Sequence, residues 1–530
     1  MALLNPKNSP FFIAVLLAVG IYIGTKLSAG STAFYTNSQN NSKLKLNRLI
    51  DYLNDDYVDA VNTDSIVEGV INNILQNLDP HSTYISKQDI ASVNENMKGG
   101  FIGIGVHFYD YKDTISVIRA IKGGPSFRAG IEAGDRILMA DNDTIHGPFW
   151  SQDKVIQKLR GPKNSKVRLQ IKRANIDSLL TFEVIRSEVP IKSVDAFFMM
   201  SPTLGYIKVN RFAESTYLEF ENGIEHLILK GAINLVLDLR DNPGGFLQIA
   251  EQMADEFLEA GKLILFTKNK SEQLIESYAS EKGRFENAEV YVLINENSAS
   301  ASEIIAGALQ DNDKGTIIGR RSFGKGLVQQ EMALGDGSAI RLTTARYYTP
   351  TGRSIQRSYV GGSEAYYNSY YKRLEDRNKD QTDSEFSQDS LKYITPKGKV
   401  VYGGGGIIPD IYSPYDPIYN STLFEFLKGT GVIDFFVFEQ LDKHRGRYKS
   451  VSESQFLKEF DISNEIYQQF LSYLNATADI EVPEGISFEA ALKVLLKSAF
   501  TKQLFGDSAA AKVLLKIDPI LNKVIELESL

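Results

Sequence analysis

The period of the hydrophobic pattern changes several times along the chain, and each change predicts a different kind of element. Residues 8–25 are uncharged and enclose an apolar block over 11–23. That block is short for a membrane-spanning helix, which needs about 17–25 residues, and it fits the core of a signal peptide. Leu27-Ser28-Ala29 is a poor cleavage site, because small residues are wanted at both the −3 and −1 positions. We therefore expect an uncleaved signal anchor over 1–29, with the rest of the chain exported. A polar stretch follows. Then Leu46, Leu49, Ile50 and Leu53, and again Ile66, Val70, Ile71, Ile74 and Leu78, recur at helical spacing. This predicts a helical region over 30–98, interrupted at Asp79-Pro80-His81-Ser82. His81, beside a proline in a turn, reads either as a structural residue or as a catalytic one.

From Gly99 to about Arg186 the period falls to two. Val167, Leu169 and Ile171 alternate with Lys166, Arg168, Gln170 and Lys172, as in a strand with one wet face. A short helix is expected over Gln152–Leu159. The array Gly99-Gly100…Val106, Ala129-Gly130-Ile131 and Gly134-Asp135 resembles a PDZ domain over 99–187. That resemblance implies a glycine-containing loop whose backbone N–H groups bind a peptide's terminal carboxylate, the peptide adding a strand to the sheet edge. Phe101, Ile102, Gly103, Ile104, Gly105 and Val106 match the loop. Glycine suits it because a side chain would obstruct the carboxylate's approach. Read alone, Gly103-x-Gly105 is a weak signal that also fits a bulge; within this array the peptide-binding reading is favoured.

Residues 188–360 read as α/β. A strand is expected over 205–210, a helix over 217–229, and a nearly continuous apolar strand over 233–239, as at the centre of a covered sheet. It runs into Arg240-Asp241-Asn242-Pro243-Gly244-Gly245 and a helix over 246–258. Adjacent glycines between strand and helix expose N–H groups at the positive end of the helix dipole, able to bind a phosphate or an oxyanion; a tight turn with no ligand is the plainer reading. A second buried strand, Val290–Ile294, leads into Asn295-Glu296-Asn297-Ser298-Ala299-Ser300-Ala301-Ser302-Glu303 and then a helical pattern. Such a strand-to-helix turn can hold a serine oxygen exposed beside unpaired backbone donors. Serine and asparagine are also ordinary N-caps.

Downstream, Lys325 lies 25 residues after Ser300. Gly319-x4-Gly324-Lys325 resembles a P-loop, but Gly326 stands where Ser or Thr would hold magnesium. Ser322-x-x-Lys325 resembles a penicillin-binding motif whose Lys-Thr-Gly partner is missing from the chain. In a third reading Lys325 is the base for Ser300. A serine nucleophile needs an adjacent base, and none of the histidines (His81, His107, His146, His226, His444) lies between the serine motif and Lys325. A lysine can serve if desolvation lowers its pKa from about 10.4. Phe323 and Leu327 would cover it, and Gln329 would orient the amine.

Composition narrows the picture further. A chain of 530 residues with 43% hydrophobic and 23% charged residues is globular, and its length fits roughly three or four domains. The net charge of −8 gives no reason to expect nucleic acid as a partner. With no cysteine there is no disulfide, thiolate zinc site or cysteine nucleophile. No cofactor and no metal is expected. Residues 361–395, rich in Tyr, Asp, Lys and Ser, read as a surface insertion. Residues 396–415 return to the core as its last strand. Residues 416–530 are helical, with Pro519 expected to kink or break the final amphipathic stretch.

Taken in order, Leu78-Asp79-Pro80-His81-Ser82-Thr83-Tyr84, the PDZ-like array, the 237–245 stretch, Asn297 to Glu303, Phe323 to Gln329, Thr343 to Gly352 and Gly406 to Asp410 resemble the carboxyl-terminal processing peptidases, the tail-specific serine protease family (S41). The resemblance covers about residues 45–415. It implies an α/β protease core of the ClpP/crotonase type with an inserted, mostly β PDZ domain, flanked by the helical N- and C-terminal regions that the apolar spacing predicts. It implies Ser300, not Ser298 or Ser302, as nucleophile, Lys325 as base and Gln329 as its support. The oxyanion hole would use N–H groups at Gly244 or Gly245 and at Ala301. The expected activity is serine endopeptidase action on unfolded or C-terminally exposed protein substrates, in the cell envelope, inner-membrane anchored or periplasmic. Arg160 is a candidate coupler of peptide docking to activity, or else a solvated turn charge. The C-terminal region would serve a homodimer or an adaptor protein, or cover the cleft. The alternative is a catalytically inactive PDZ-bearing envelope scaffold or chaperone.

Overall fold

The structure, a computed structural model, describes residues 14–15, 17–20, 40–147, 150–174, 176–281, 283–375, 391–418, 421–448, 450–478, 480, 482 and 485–529. The expected signal anchor over 1–29 lies for the most part outside the described residues. Among those described, no helix is long and apolar enough to cross a membrane. The chain divides into two units, Met1–Ile74 and Leu75–Leu530. In the first, the helix Asn40–Asp55 leaves Leu44, Leu46, Leu49 and Tyr52 exposed. A second helix begins at Thr63, where the Asn62 side chain accepts from the Ser65 N–H at 3.2 Å.

The second unit is built on a six-stranded sheet. Its order is Val194–Met199, Leu204–Val209, Asn234–Asp238, Val290–Ile294, Gly315–Gly319 and Ile411–Tyr412. The first pair is antiparallel and all the others are parallel. The apolar run over 233–239 is continuous because both its faces are covered. Leu235 and Leu237 pack under Ile224 and Leu227 of the helix Thr216–Leu229, Met253 of Leu247–Asp255 and Ile305 of Ala301–Asp311. Val236, pointing the other way with Tyr206, Leu293 and Ile318, packs under Ile520, Leu521 and Val524. Those last residues belong to the helix Pro519–Glu528. Pro519 opens that helix instead of interrupting one, because its missing N–H is not needed at the first position. Asp518 caps it, accepting from Ile520 and Leu521 N–H groups at 3.0 and 3.2 Å.

A second sheet is wholly antiparallel, with Thr83–Ile85, Leu263–Asn269 and Leu327–Ala333 all pairing to the long strand Ala339–Tyr348. The expected return strand over 396–415 is shorter than its apolar pattern implied. Val400–Tyr402 forms a hairpin with Lys392–Ile394, and only Ile411–Tyr412 joins the core. The expected surface insertion is, over its first half, the helix Gly362–Glu375, with Tyr366 buried. Its residues 376–390 lie outside the described residues.

The segment over 99–187 forms an antiparallel sheet in the order Val106–Asp110, Ile115–Ala120, Arg136–Ala140, Lys166–Lys172 and Leu180–Ile185. Val155 and Leu159 of the helix Gln152–Leu159 are buried against it. The C-terminal helices have an apolar core of their own, centred on Phe436, Phe470 and Leu496. They also grip the 99–187 sheet: Tyr109 and Tyr111 stack against Phe435 and Phe438, with ring centroids 4.9–6.1 Å apart, and Arg136 pairs with Asp442 at 2.6 Å.

Candidate active site

The strand Val290–Ile294 ends in a turn that delivers Ser300 to the start of the helix Ala301–Asp311. Ser300 has φ 53 and ψ −111, a left-handed conformation that a residue with a Cβ adopts only when its surroundings impose it. The flanking serines explain part of that imposition. Ser298 and Ser302 are fully buried, and their hydroxyls donate to Leu239 O at 2.8 Å and Asn242 O at 2.9 Å. Ser300 stands between these two anchors and is half-buried.

The next layer is Gly244. A Cβ added there would lie 2.8 Å from both Ala299 O and Ser300 Cβ and 3.0 Å from Ala301 N, so only glycine permits this approach. The Gly244 N–H is turned to Asn242 Oδ1 at 2.9 Å. Gly245 forms an isolated parallel bridge with Phe212. Among the described residues, the N–H groups of Gly245 and Ala301 donate to no acceptor. They are the two unspent backbone donors beside Ser300, whereas that of Gly244 is committed.

Lys325 sits on the loop before the strand Leu327–Ala333. Its amine donates to Gln329 Oε1 at 2.9 Å, and the Gln329 amide donates to His81 O. The Asp79 carboxylate shapes the turn that presents this carbonyl, accepting from His81 N (2.8 Å), Ser82 N (2.8 Å) and Ser82 Oγ (2.6 Å). Burial, then the Arg341 charge, pushes the Lys325 amine below its ordinary range, against Glu303 and Asp79. Burial and the Lys325 charge also push the His81 ring down to about 3, so it is neutral. Its Nε2 lies 3.1 Å from the Tyr366 hydroxyl. The Ser300 hydroxyl and the Lys325 amine are not hydrogen-bonded to each other among the described residues; the amine is turned to Gln329.

Sequence reasoning missed two side chains that join the serine turn to the lysine loop. The buried Glu303 carboxylate accepts from Ser300 N and Lys325 N, each at 2.9 Å to the same oxygen, and from Gly324 N (2.7 Å) and Ser322 Oγ (2.5 Å). Burial pushes this carboxyl up, and the four donated bonds oppose that shift. Ser-x-x-Glu is a capping-box spacing, so the pattern was present to be read. Tyr347, also buried, directs its hydroxyl at Lys325 O (2.9 Å) and Ser300 O (3.2 Å). No local spacing signals Tyr347, because its role depends on strand register.

In the 99–187 body, Phe101, Ile102 and Gly103 pair with the strand Ser187–Pro190. Val106 opens the neighbouring strand, and the carbonyls of Ile104 and Gly105 accept from Ser126 N (2.9 Å) and Ile121 N (3.0 Å). The Phe101 ring folds over Gly103, where a Cβ would be 2.9 Å away. Arg160 lies 4.6 Å from the Phe101 ring centroid and pairs with Glu95 at 2.6 Å. Among the described residues, no group of three or more His, Asp or Glu side chains could hold a metal ion.

Comparison with known proteins places these features. A model of peptidase family S41 matches residues 203–362, and a PDZ-domain model matches residues 102–185. A family of unknown function (DUF8443) matches residues 423–506. The carboxy-terminal-processing protease of Bartonella bacilliformis is 34% identical over 356 residues, covering 65% of this chain and 79% of that protein. The carboxy-terminal processing protease CtpA of Bacillus subtilis is 32% identical over 354 residues, covering 66% of this chain and 74% of that one. Among solved structures, the photosystem II D1 C-terminal processing protease aligns over 60% of this chain and 84% of its own, at 27% identity and a TM-score of 0.35. On the extent of its likeness to the Bartonella and Bacillus proteins, the chain belongs to the carboxy-terminal processing proteases of peptidase family S41.

Proposed function

We propose that the protein is a serine endopeptidase whose PDZ domain captures the C-terminus of an unfolded substrate and whose Ser300–Lys325 dyad cleaves the chain through an acyl-enzyme. One observation carries this reading: a single oxygen of Glu303 binds the backbone N–H of both Ser300 and Lys325, holding the two loops together. Neutral Lys325 takes the Ser300 proton, and the serine oxygen attacks the peptide carbonyl. The N–H groups of Gly245 and Ala301 receive the developing oxyanion; losing one such donor typically raises the barrier by about 3–4 kcal/mol. The protonated amine then gives its proton to the leaving nitrogen, and water releases the acyl group. Gln329, fixed by His81 O, holds the amine between turnovers. A neutral amine that donates to Gln329 keeps its lone pair for the Ser300 hydroxyl, so in this reading the proton transfer takes place with the Gln329 bond in place.

Phe101, Ile102, Gly103, Ile104, Gly105 and Val106 form the carboxylate loop in this reading. Arg160, stacked on Phe101 and paired with Glu95, couples docking there to the helix Ile90–Lys98. The core is of the ClpP/crotonase kind, and the enzyme works in the cell envelope, held by its N-terminal segment. An adaptor or a second copy of the chain remains a candidate partner.

The test uses an unfolded protein with an apolar C-terminus. Wild type should cleave it, while Ser300→Ala and Lys325→Ala should bind it without turnover. Binding with no cleavage by all three would make the protein a scaffold.

A further inference from the structure

Beside the serine and lysine loops lies positive charge that no carboxylate pairs among the described residues. Arg357 donates its backbone N–H to Gly324 O at 3.1 Å. Its guanidinium lies 4.6 Å from the Phe323 ring, 4.0 Å from Tyr366 and 5.4 Å from Tyr370. Nη1 reaches Tyr366 O (3.4 Å) and Ser369 Oγ (3.3 Å), but Nε and Nη2 are buried with no acceptor among the described residues. Arg373, on the helix Gly362–Glu375, lies 5.5 Å from the same Tyr370 ring. Among the described residues none of its guanidinium nitrogens has an acceptor, and all three are buried. Burial and the neighbouring Arg357 charge push Arg373 below its ordinary range.

The acidic groups that act on Arg373 are engaged elsewhere. Glu303 receives its four donors, and Glu296 pairs with Arg320 at 2.9 Å. Two guanidiniums thus share one aromatic-walled compartment with no paired carboxylate among the described residues. Buried, unpaired charge is strongly unfavourable, and unsatisfied buried donors in a native fold call for a partner. The planar fork of a guanidinium matches a carboxylate. The compartment adjoins the reaction centre directly: Phe323 N donates to Ser298 O at 3.0 Å, and the Tyr370 hydroxyl donates to Asn297 Oδ1 at 2.7 Å.

We propose that Arg357 and Arg373 form a subsite that takes a carboxylate of the bound substrate, from an acidic side chain beside the scissile bond or from a chain end close to it. The proposal rests on the endopeptidase reading, which makes peptide carboxylates the anions presented there. The compartment is closed in this structure. The helix Gly362–Glu375 is held over it by the Tyr370–Asn297 bond, by Tyr367 Oη to Pro80 O (3.0 Å) and by the Tyr366–His81 contact (3.1 Å). The carboxylate enters as that helix shifts, and its binding neutralises what the closed state leaves unpaired.

The experiment measures kcat/KM for peptides of one sequence carrying Glu or Gln at each position around the cleaved bond. A parallel set, shortened residue by residue, carries a free or an amidated C-terminus. Wild type is expected to prefer the carboxylate at one position by roughly 10- to 100-fold, the range for hydrogen bonds to a charged group. Arg373→Met and Arg357→Met should bring that ratio close to one, and Arg373→Lys should restore part of it. A Glu/Gln preference identifies a side chain as the source, and an acid/amide preference at one fixed length identifies the chain end. Cleavage of the neutral peptides by wild type tests the endopeptidase reading separately. Without substrate, Arg373→Met should melt at the same or a higher temperature, because an unpaired charge has gone. Equal ratios in wild type and Arg373→Met would overturn the subsite, as would a Met variant that melts far lower while keeping the preference.

Discussion

At the scale of single residues, Lys325 and Glu303 carry opposite shifts from the same cause. Burial lowers the lysine amine and raises the glutamic acid. If neutral Lys325 is the base, kcat/KM rises with pH through the amine's pKa, below its usual value of about 10.4. Arg341 is the second cause of that lowering. Arg341→Gln should therefore move the rising limb of the pH–rate profile to higher pH; an unchanged or downward-shifted limb would remove Lys325 from the role of base. The same shift has a stability consequence. The unfolded chain binds the extra proton, so the native state gains from Lys325 as pH rises towards the unfolded amine's range. For Glu303, amide substitution turns an acceptor of four donors into a group with one acceptor oxygen. Glu303→Gln should lower folding stability by at least ~3 kcal/mol, since bonds to a charged group are worth about 1.5–3 kcal/mol each. Denaturant unfolding measures it, and a loss under 1 kcal/mol, taking ~1 kcal/mol as the worth of one ordinary bond, would mean the carboxylate is not a hub.

At the scale of elements, the decisive piece is the loop that brings Gly244 against Ser300. In Gly244→Ala the new methyl would meet Ala299 O and Ser300 Cβ at 2.8 Å, at a φ of +99 that suits only glycine. We expect kcat to fall at least ~10²-fold, as for a lost oxyanion donor, with unfolding free energy lowered by only about 1–3 kcal/mol. Steady-state kinetics beside chemical denaturation separates the two, and full activity would show that the loop tolerates the displacement. How much of this was legible beforehand depends on how local each signal is. The strands at 233–239 and 290–294, the glycine pair and the serine turn follow from nearest neighbours and appeared in the sequence as continuous apolar runs ending in turn residues. Gln329, four residues from Lys325, was within reach of the same reasoning. Tyr347 was not, because only the pairing of Leu327–Ala333 with Ala339–Tyr348 brings its hydroxyl to Ser300 and Lys325. The helix Gly362–Glu375 was hidden by composition. Its tyrosines read as solvent-facing until Tyr366 is seen buried between His81 and Arg357.

At the scale of the whole molecule, the second unit is tied together by its C-terminal helices. They stack Phe435 and Phe438 on the PDZ domain, and Ile520, Leu521 and Val524 on the core sheet. Phe438→Ala should loosen the first contact. Hydrogen exchange of the strand Ile115–Ala120 is then expected to speed up while peptide affinity is retained, and unchanged exchange would mean the stacking holds nothing. Leu521→Ala should cost about 2–5 kcal/mol, as for other fully buried leucines, read from the unfolding midpoint. The second contact also bears on how the protein is made. Asp518 pairs with Arg240 at 2.7 Å, and Arg240 leads into the glycine loop beside Ser300. Polypeptides leave the ribosome in sequence order, so a nascent chain holds both Ser300 and Lys325 well before residues 518–524 emerge to cover the sheet and brace that loop. Until then an apolar surface stands open and invites chaperones.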